Sequence, residues 1–399
     1  MTDLGDQLDE LGNAGLRRRM RLIEGPQGPR VLLDGREVLL LCSNNYLGLA
    51  EDPVVRAAAA EAALELGAGA GASRLISGNM GAHTVLERRL AEFKGYPAAL
   101  LFGSGYLANM GIIAALAGEG EVVFSDELNH ASIIDGCRLA KAETFVYRHG
   151  DVEHLEHGLR EAGSRAALIV SDGVFSMDGD VAPLPQLAEL AARHDCRLMI
   201  DEAHATGAIG PGGRGSVAAA GLGEEVDVIV GTLGKALGSY GAYACADAET
   251  VDFLLNRARS FIFSTAPPPP TVAAASAALG QLEARPGMVE RLRANAAVLR
   301  SGLAAEGLLA GGAPTQIVPV EIGDAARTMD LCELALERGV FAQGIRPPTV
   351  PEGSSRLRFT VMATHTEVEL RRAAAIVGAA ARELGIQPAA SAATAALAA

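Results

Sequence analysis

A lysine stands where an apolar run gives way to glycines. Val228-Ile229-Val230 passes into Gly231-Thr232-Leu233-Gly234-Lys235-Ala236-Leu237-Gly238. The β-branched run reads as a buried strand, and the glycines as a loop whose backbone must approach something closely. An amine there is either a solvated loop charge or a group held in a site, and Lys235 alone leaves both open. A second strand-like run, Arg197-Leu198-Met199-Ile200, ends in Asp201-Glu202-Ala203-His204, an acid at a strand end with an imidazole three residues on. After a third, Val122-Val123-Phe124-Ser125-Asp126, comes His130 in Leu128-Asn129-His130-Ala131-Ser132. Gly103-Ser104-Gly105-Tyr106 opens a helix after strand 98–102, and helix N-termini attract phosphate.

Three chemistries could use such groups. A nucleotide hydrolase needs a loop of the form GxxxxGK[ST]. Here Ile229 stands where the first glycine belongs and Ala236 follows Lys235, so that reading fails twice. A metal centre needs a third and usually a fourth ligand; His130 is available, but no His/Cys/carboxylate cluster joins it, and no metal is expected. A pyridoxal ring asks for a Schiff-base lysine, an acid at the pyridinium nitrogen, a flat group over the ring and donors for the phosphate. Lys235, Asp201, His130 and the Gly103–Gly105 turn supply all four. Each is weak alone: His130 also reads as an ordinary helix-start histidine, and glycine-rich strand-to-helix turns are common.

The elements that must position these groups alternate. Helical periodicity marks 53–66, 83–95, 105–117, 131–140, 151–162 and 184–194, and β-rich runs occupy 98–102, 121–125, 143–147, 166–171, 197–201 and 226–231. That alternation predicts a largely parallel sheet covered by helices on both faces, with ligands at the carboxyl ends of the strands. Upstream, residues 1 to about 20 read as an amphipathic helix laid on the body, ending in Arg17-Arg18-Arg19, and Val31–Leu40 as a hairpin around Asp34-Gly35. Pro267-Pro268-Pro269-Pro270 marks a boundary, followed by a long helix to about 308 and an α/β segment over 315–386. The pattern predicts an N-terminal helix and hairpin segment (1–45), a large domain (46–275), a small α/β domain (276–386) and a low-complexity tail (387–399).

Bulk properties narrow the class. A net charge of −14 argues against non-specific nucleic-acid binding. Five scattered cysteines without CxxC spacing favour reduced thiols over a disulfide frame. No apolar run reaches 18 residues, and the acidic N-terminus lacks a signal-peptide pattern, so a cytoplasmic protein without a membrane partner is expected.

The motifs together resemble the α-oxoamine synthases, pyridoxal-phosphate enzymes of fold type I (aspartate aminotransferase-like). The resemblance runs from about Arg17 to about residue 380. Its carriers are Ser43-Asn44-Asn45-Tyr46-Leu47-Gly48-Leu49, Leu128–Ser132, Gly173-Val174-Phe175-Ser176-Met177-Asp178-Gly179-Asp180, Asp201–His204 and Gly231–Lys235. It implies an α/β fold with a mostly parallel seven-stranded sheet in the large domain and a smaller α/β C-terminal domain. It also implies a homodimer with shared active sites.

Lys235 would then be the Schiff-base lysine, Asp201 the partner of the pyridinium nitrogen, and His204 the partner of the ring's phenolic oxygen. His130 would stack on the ring with Ser176 nearby, and Gly105, Tyr106 and Thr232 would hold the phosphate. Ser264 and Thr265 resemble a pair reaching a phosphate across the dimer interface. Arg358 matches the arginine that grips the amino-acid carboxylate, a bidentate task suited to guanidinium, and Asn44 would help orient that substrate.

The family condenses an amino acid with an acyl thioester and releases carbon dioxide. Ile345-Arg346-Pro347-Pro348-Thr349-Val350-Pro351 resembles the branch that uses L-alanine and a pimeloyl thioester on the way to biotin, with Thr349 at a substrate position. Arg17 matches that branch's N-terminal substrate arginine, and an acyl chain ending in a carboxylate wants a cation such as Arg17 or Arg346. A basic helix end complementing its dipole explains Arg17-Arg18-Arg19 equally well. Asn129–Gly136 also looks like the branch that joins glycine to an acetyl thioester. A non-catalytic relative would lack Lys235 or Asp201, and both are present.

Overall fold

The structure, a computed structural model, describes residues 3–13, 16–18 and 20–386. Arg19 and the tail from 387 lie outside the described residues. The N-terminal helix spans only Leu4–Asn13 and buries none of its residues. The expected helix to about residue 20, laid on the body, is corrected accordingly: ten residues with no covered face have only local propensity to hold them. Leu4, Leu8 and Leu11 remain exposed.

Three short strands follow, β1 (Ile23–Glu24), β2 (Arg30–Leu33) and β3 (Arg36–Leu40), antiparallel in that order. The β2–β3 turn carries positive φ at both Asp34 (47°) and Gly35 (79°), the primed-turn geometry expected of Asp-Gly.

The central sheet contains β4 (Ala98–Phe102), β5 (Val122–Asp126), β6 (Glu143–Tyr147), β7 (Ala166–Asp172), β8 (Arg197–Asp201), β9 (Val228–Thr232) and β10 (Ala242–Ala246). Its seven strands run in the order β4-β10-β9-β8-β7-β5-β6. Only β10 opposes its neighbours. Apart from the edge strand β6, which is largely exposed, the strands are buried on both faces, as their continuous apolar runs require. β10 was not expected: Ala-Tyr-Ala-Cys-Ala has no β-branched residue and gains its place by burial between β4 and β9. Because the other six strands share one direction, Phe102, Asp126, Asp172, Asp201 and Thr232 all end at one edge.

The proline run begins a helix rather than a linker, Pro269–Ala284, with its prolines where a missing N–H costs nothing. The single long helix expected here is two, the second being Gly287–Ala305, because Pro286 interrupts the hydrogen-bond ladder. β11 (Ile317–Gly323), β12 (Val340–Phe341), β13 (Gln343–Ile345) and β14 (Ser355–Thr360) follow. β11, β14 and β13 form an antiparallel sheet. β12 instead pairs with β3, parallel, so the N-terminal hairpin shares a sheet with the C-terminal segment.

Candidate active site

The carboxyl ends of β9, β8 and β7 carry the reacting groups. Lys235 lies in the β9–β10 loop, which is tied across itself by Leu233 N–H to Gly241 O (2.9 Å) and Ser239 N–H to Leu233 O (2.8 Å). Gly238 must be glycine there: its φ is +60°, and a Cβ would lie 2.3 Å from the Ala50 nitrogen. The loop thus rests against the segment that carries Asn44 and Tyr46.

From Lys235 a chain of polar contacts runs inward. Lys235 Nζ is 2.8 Å from His204 Nε2, His204 Nδ1 is 2.6 Å from Tyr46 Oη, and Tyr46 Oη donates to Asn44 Oδ1 at 3.1 Å. With the tyrosine proton committed to Asn44, Nδ1–H donates to Tyr46 and Nε2 accepts from the lysine. Gln316 holds the His204 carbonyl at 2.7 Å. Burial, reinforced by the Lys235 and Arg358 charges, drives His204 well below the usual imidazole range, so it is neutral. Burial also lowers Lys235 from 10.5 to about 8, against the opposing pull of Asp201 and Asp172.

Asp201 is held from two sides. Its Oδ1 accepts from Ala203 N–H at 2.8 Å and its Oδ2 from Asn109 Nδ2 at 2.6 Å. Asn109 Nδ2 also donates to Ser132 Oγ at 2.8 Å, and Ser132 Oγ is 2.7 Å from His130 Nδ1. The Ser132 N–H donates to the same Nδ1 at 3.2 Å, so that nitrogen is an acceptor and the ring carries its proton on Nε2. Burial lowers the His130 pKa accordingly. Asp172, opposite Asp201 in the parallel β7–β8 register, accepts the His130 backbone N–H at 2.7 Å. Burial and the neighbouring Asp201 raise the Asp172 carboxyl well above the usual carboxylate range.

Gly105 and Tyr106 begin the helix Gly105–Leu116 directly after β4, with Ser104 capping it through Leu107 N–H at 3.2 Å. The Gly105 and Tyr106 N–H groups have no hydrogen-bond acceptor among the described residues and can meet an anion. The Tyr106 side chain is turned away, its hydroxyl donating to Asp135. Thr232 Oγ1 donates to Gly241 O at 3.1 Å and accepts from Gly234 N–H at 3.2 Å, fixing the start of the lysine loop.

Arg358, on β14, is buried and donates from Nε to the Ser176 carbonyl. Its charge helps to lower the pKa of Tyr46, His204 and Lys235, so it acts electrostatically on the amine. Arg346 lies elsewhere. With Arg17, Arg18, Arg21 and Thr349 it lines a groove of about 820 Å³ between the N-terminal segment and residues 329–349. Arg21 is paired with Glu333, whereas Arg17, Arg18 and Arg346 have no carboxylate partner among the described residues. The two arginines are therefore separated, one at the reacting groups and one in the groove.

Ser264 and Thr265 make no hydrogen bond to these groups within the single chain. They lie beyond the short helix Arg259–Ile262, where Thr265 bridges to Ser73. Tyr46, Asn109, Ser132, Asp172 and Gln316 were not singled out from sequence. Three of them did carry a signal: Tyr46 lies inside the Ser43–Leu49 motif, Ser132 ends the Leu128–Ser132 motif, and Asp172 stands in the polar cluster Ser171-Asp172-Gly173 that follows a strand-like run.

The donor set fits pyridoxal phosphate: a lysine with a depressed pKa, a doubly held carboxylate, two neutral imidazoles and a helix start at one sheet edge. It also fits what the chain is similar to. Residues 36–377 match the aminotransferase class I and II family. The 8-amino-7-oxononanoate synthase of Geotalea daltonii is 52% identical over 97% of this chain and 99% of its own length. The serine palmitoyltransferase of S. paucimobilis with a bound PLP–myriocin aldimine superposes with a TM-score of 0.91 at 34% identity, covering 96% of this chain and 97% of that one. The 8-amino-7-oxononanoate synthase of Francisella tularensis superposes with a TM-score of 0.76 at 27% identity, covering 88% and 99%. The chain belongs to the aminotransferase class I and II family, within its α-oxoamine synthase branch.

Proposed function

We propose that this chain is a pyridoxal-phosphate-dependent acyltransferase that condenses L-alanine with a pimeloyl thioester, carried by coenzyme A or a carrier protein. The products are 8-amino-7-oxononanoate, the free thiol and carbon dioxide, a step of biotin biosynthesis. The relatives near half identity over almost the full chain support this reading. The observation that carries the acyl specificity is the groove lined by Arg17 and Arg346. Its volume of about 820 Å³ suits a long chain ending in a carboxylate, whereas an acetyl group needs neither the length nor the cations.

Pyridoxal phosphate, when bound, withdraws electrons from the amino-acid Cα and so stabilises the carbanion on which acylation and decarboxylation depend. Lys235 anchors that group and, once free, takes the Cα proton; a pKa near 8 lets it hold or release a proton close to neutrality. Asp201, kept in place by Asn109 and Ala203, would pair with the ring nitrogen and favour its protonated form. His204 would bond the phenolic oxygen, and His130 would stack on the ring with Ser176 nearby. Gly105, Tyr106 (through its backbone) and Thr232 would hold the phosphate. Arg358 and Asn44 orient the alanine carboxylate, and Arg17, Arg346 and Thr349 take the far end of the acyl chain.

A homodimer completes the site, with Ser264 and Thr265 reaching the partner's phosphate. The exposed Ile76, Phe263 and Tyr240, together with Leu75, supply apolar surface for such an interface. No helix among the described residues is long and apolar enough to cross a membrane.

The groove is tested by substrate truncation. Pimeloyl-CoA should outperform heptanoyl-CoA, which lacks the terminal carboxylate. Arg17→Gln and Arg346→Gln should each raise the KM for pimeloyl-CoA about tenfold, the loss of one charge-assisted contact, with the KM for L-alanine unchanged. Equal use of the two thioesters would remove the groove from the account.

A further inference from the structure

A bridged imidazole outside the reacting groups ties the two halves of the site together. His149 follows β6, and its Nδ1 lies 3.0 Å from Asp126 Oδ1 while its Nε2 lies 2.7 Å from Asp180 Oδ2. Asp126 is buried at the end of β5, just before His130, and its Oδ2 also accepts Gly150 N–H at 2.9 Å. Asp180 closes a tight loop: Phe175 N–H donates to Asp180 O at 3.0 Å and Gly179 N–H to Phe175 O at 2.9 Å. The His149 ring meets Phe175 edge-on, with centroids 4.5 Å apart and planes at 85°. Asp180 Oδ1 is buried without a partner among the described residues, so His149 is the group that holds this carboxylate.

The far side of the same loop is gripped by the small domain. Arg358 donates to the Ser176 carbonyl, Arg356 pairs with Asp178, and Thr315 Oγ1 donates to Gly179 O at 2.8 Å. Residues 175–180 therefore form a compact bridge with His149 on one side and Arg358 on the other. The loop is short and internally bonded, so it shifts as a unit and not by local fraying.

We propose that His149 is a positioning residue: by bridging Asp126 and Asp180 it sets the height of the 175–180 loop, and so fixes where Arg358 presents its guanidinium to the amino-acid carboxylate. Two carboxylates around one imidazole retain its proton, lifting it from 6.5 to about 10, so the bridge is charged at neutral pH. The proposal rests on the reading that Arg358 binds the alanine carboxylate.

The test uses the cofactor-loaded enzyme. His149→Phe keeps a flat ring against Phe175 and removes both charged hydrogen bonds; His149→Gln serves if the first does not fold. Loss of the bridge should raise the L-alanine Kd, read from the visible absorption of the bound cofactor, about tenfold. The pimeloyl-CoA KM should stay within about twofold. Amide exchange should quicken over residues 173–181 and not at the distant hairpin Arg30–Leu40. Arg358→Lys is measured in parallel. If Arg358→Lys weakens alanine and the His149 variant does not, the positioning role is overturned while the Arg358 reading stands. If Arg358→Lys leaves alanine binding unchanged, the Arg358 reading fails and the proposal falls with it.

Discussion

Replacing Lys94 by methionine should unfold the protein several degrees early, although Lys94 touches none of the candidate site residues. Its ammonium lies 2.9 Å from Glu202 Oε2, with side-chain exposures of 1% and 0%. Glu202 Oε1 is already filled by the Ser216 hydroxyl and by Val217 N–H at 2.9 Å. Removing the lysine leaves a fully buried carboxylate with no counter-charge, which costs about 3–5 kcal/mol. An unfolding entropy of about 2.1 cal/mol/K per residue, taken over the whole chain as one unit, converts that to roughly 4–6 °C in Tm.

The deficit should depend on pH with a definite sign. In the variant the penalty comes from burying Glu202 as an unpaired carboxylate, and a proton on that carboxylate removes the charge and with it the penalty. Differential scanning calorimetry at pH 8 and pH 5 should therefore show the larger gap at pH 8. Lys94→Met with Glu202→Gln should recover most of the loss, because a neutral pair leaves no buried charge. A single variant within about 1 °C of wild type at pH 8, a loss well under the 3–5 kcal/mol expected of a broken buried pair, would refute the reasoning.

Two further outcomes follow from the site. Asn109→Leu removes the donor to Asp201 Oδ2 and to Ser132, and should lower kcat/KM about tenfold or more by leaving a buried acceptor unpaired, with a blue-shifted cofactor band as the accompanying sign. In the cofactor-free protein, the Lys235 amine should become reactive toward an amine-selective reagent with a midpoint near pH 8, the value to which burial lowers it. Site-resolved mass spectrometry reads this directly, and a midpoint near 10.5 would contradict the buried setting.

The candidate site residues were legible where a motif coincided with a strand end. Lys235, Asp201, His204 and His130 each follow an apolar run, and the parallel sheet gathers such positions at one edge. What was not legible depended on contacts between distant segments. Glu202 stands in the same Asp-Glu-x-His motif as the reacting acid, yet its partner is Lys94, 108 positions earlier. Asn109 lies within a helix whose pattern is otherwise apolar, and only its meeting with Asp201 gives it a role. Asp172 reads as a loop acid until the β7–β8 register sets it beside Asp201. β10 escaped because three of its five residues are alanine, which carries little strand signal, and its burial comes from neighbours on both sides. The paired N-terminal hairpin and β12 are separated by about 300 residues, a relation no local pattern contains.

The central claim is the pairing of L-alanine with a pimeloyl thioester. Purified, cofactor-loaded enzyme should be offered [1-¹³C]L-alanine with pimeloyl-CoA and, separately, [1-¹³C]glycine with acetyl-CoA, with labelled carbon dioxide and product mass followed together. The account predicts one labelled carbon dioxide per 8-amino-7-oxononanoate formed from the first pair, and turnover at least a hundredfold slower with the second, since the acetyl group leaves the cationic groove unused. Faster turnover of glycine with acetyl-CoA, or product formation without release of the labelled carbon, would contradict it.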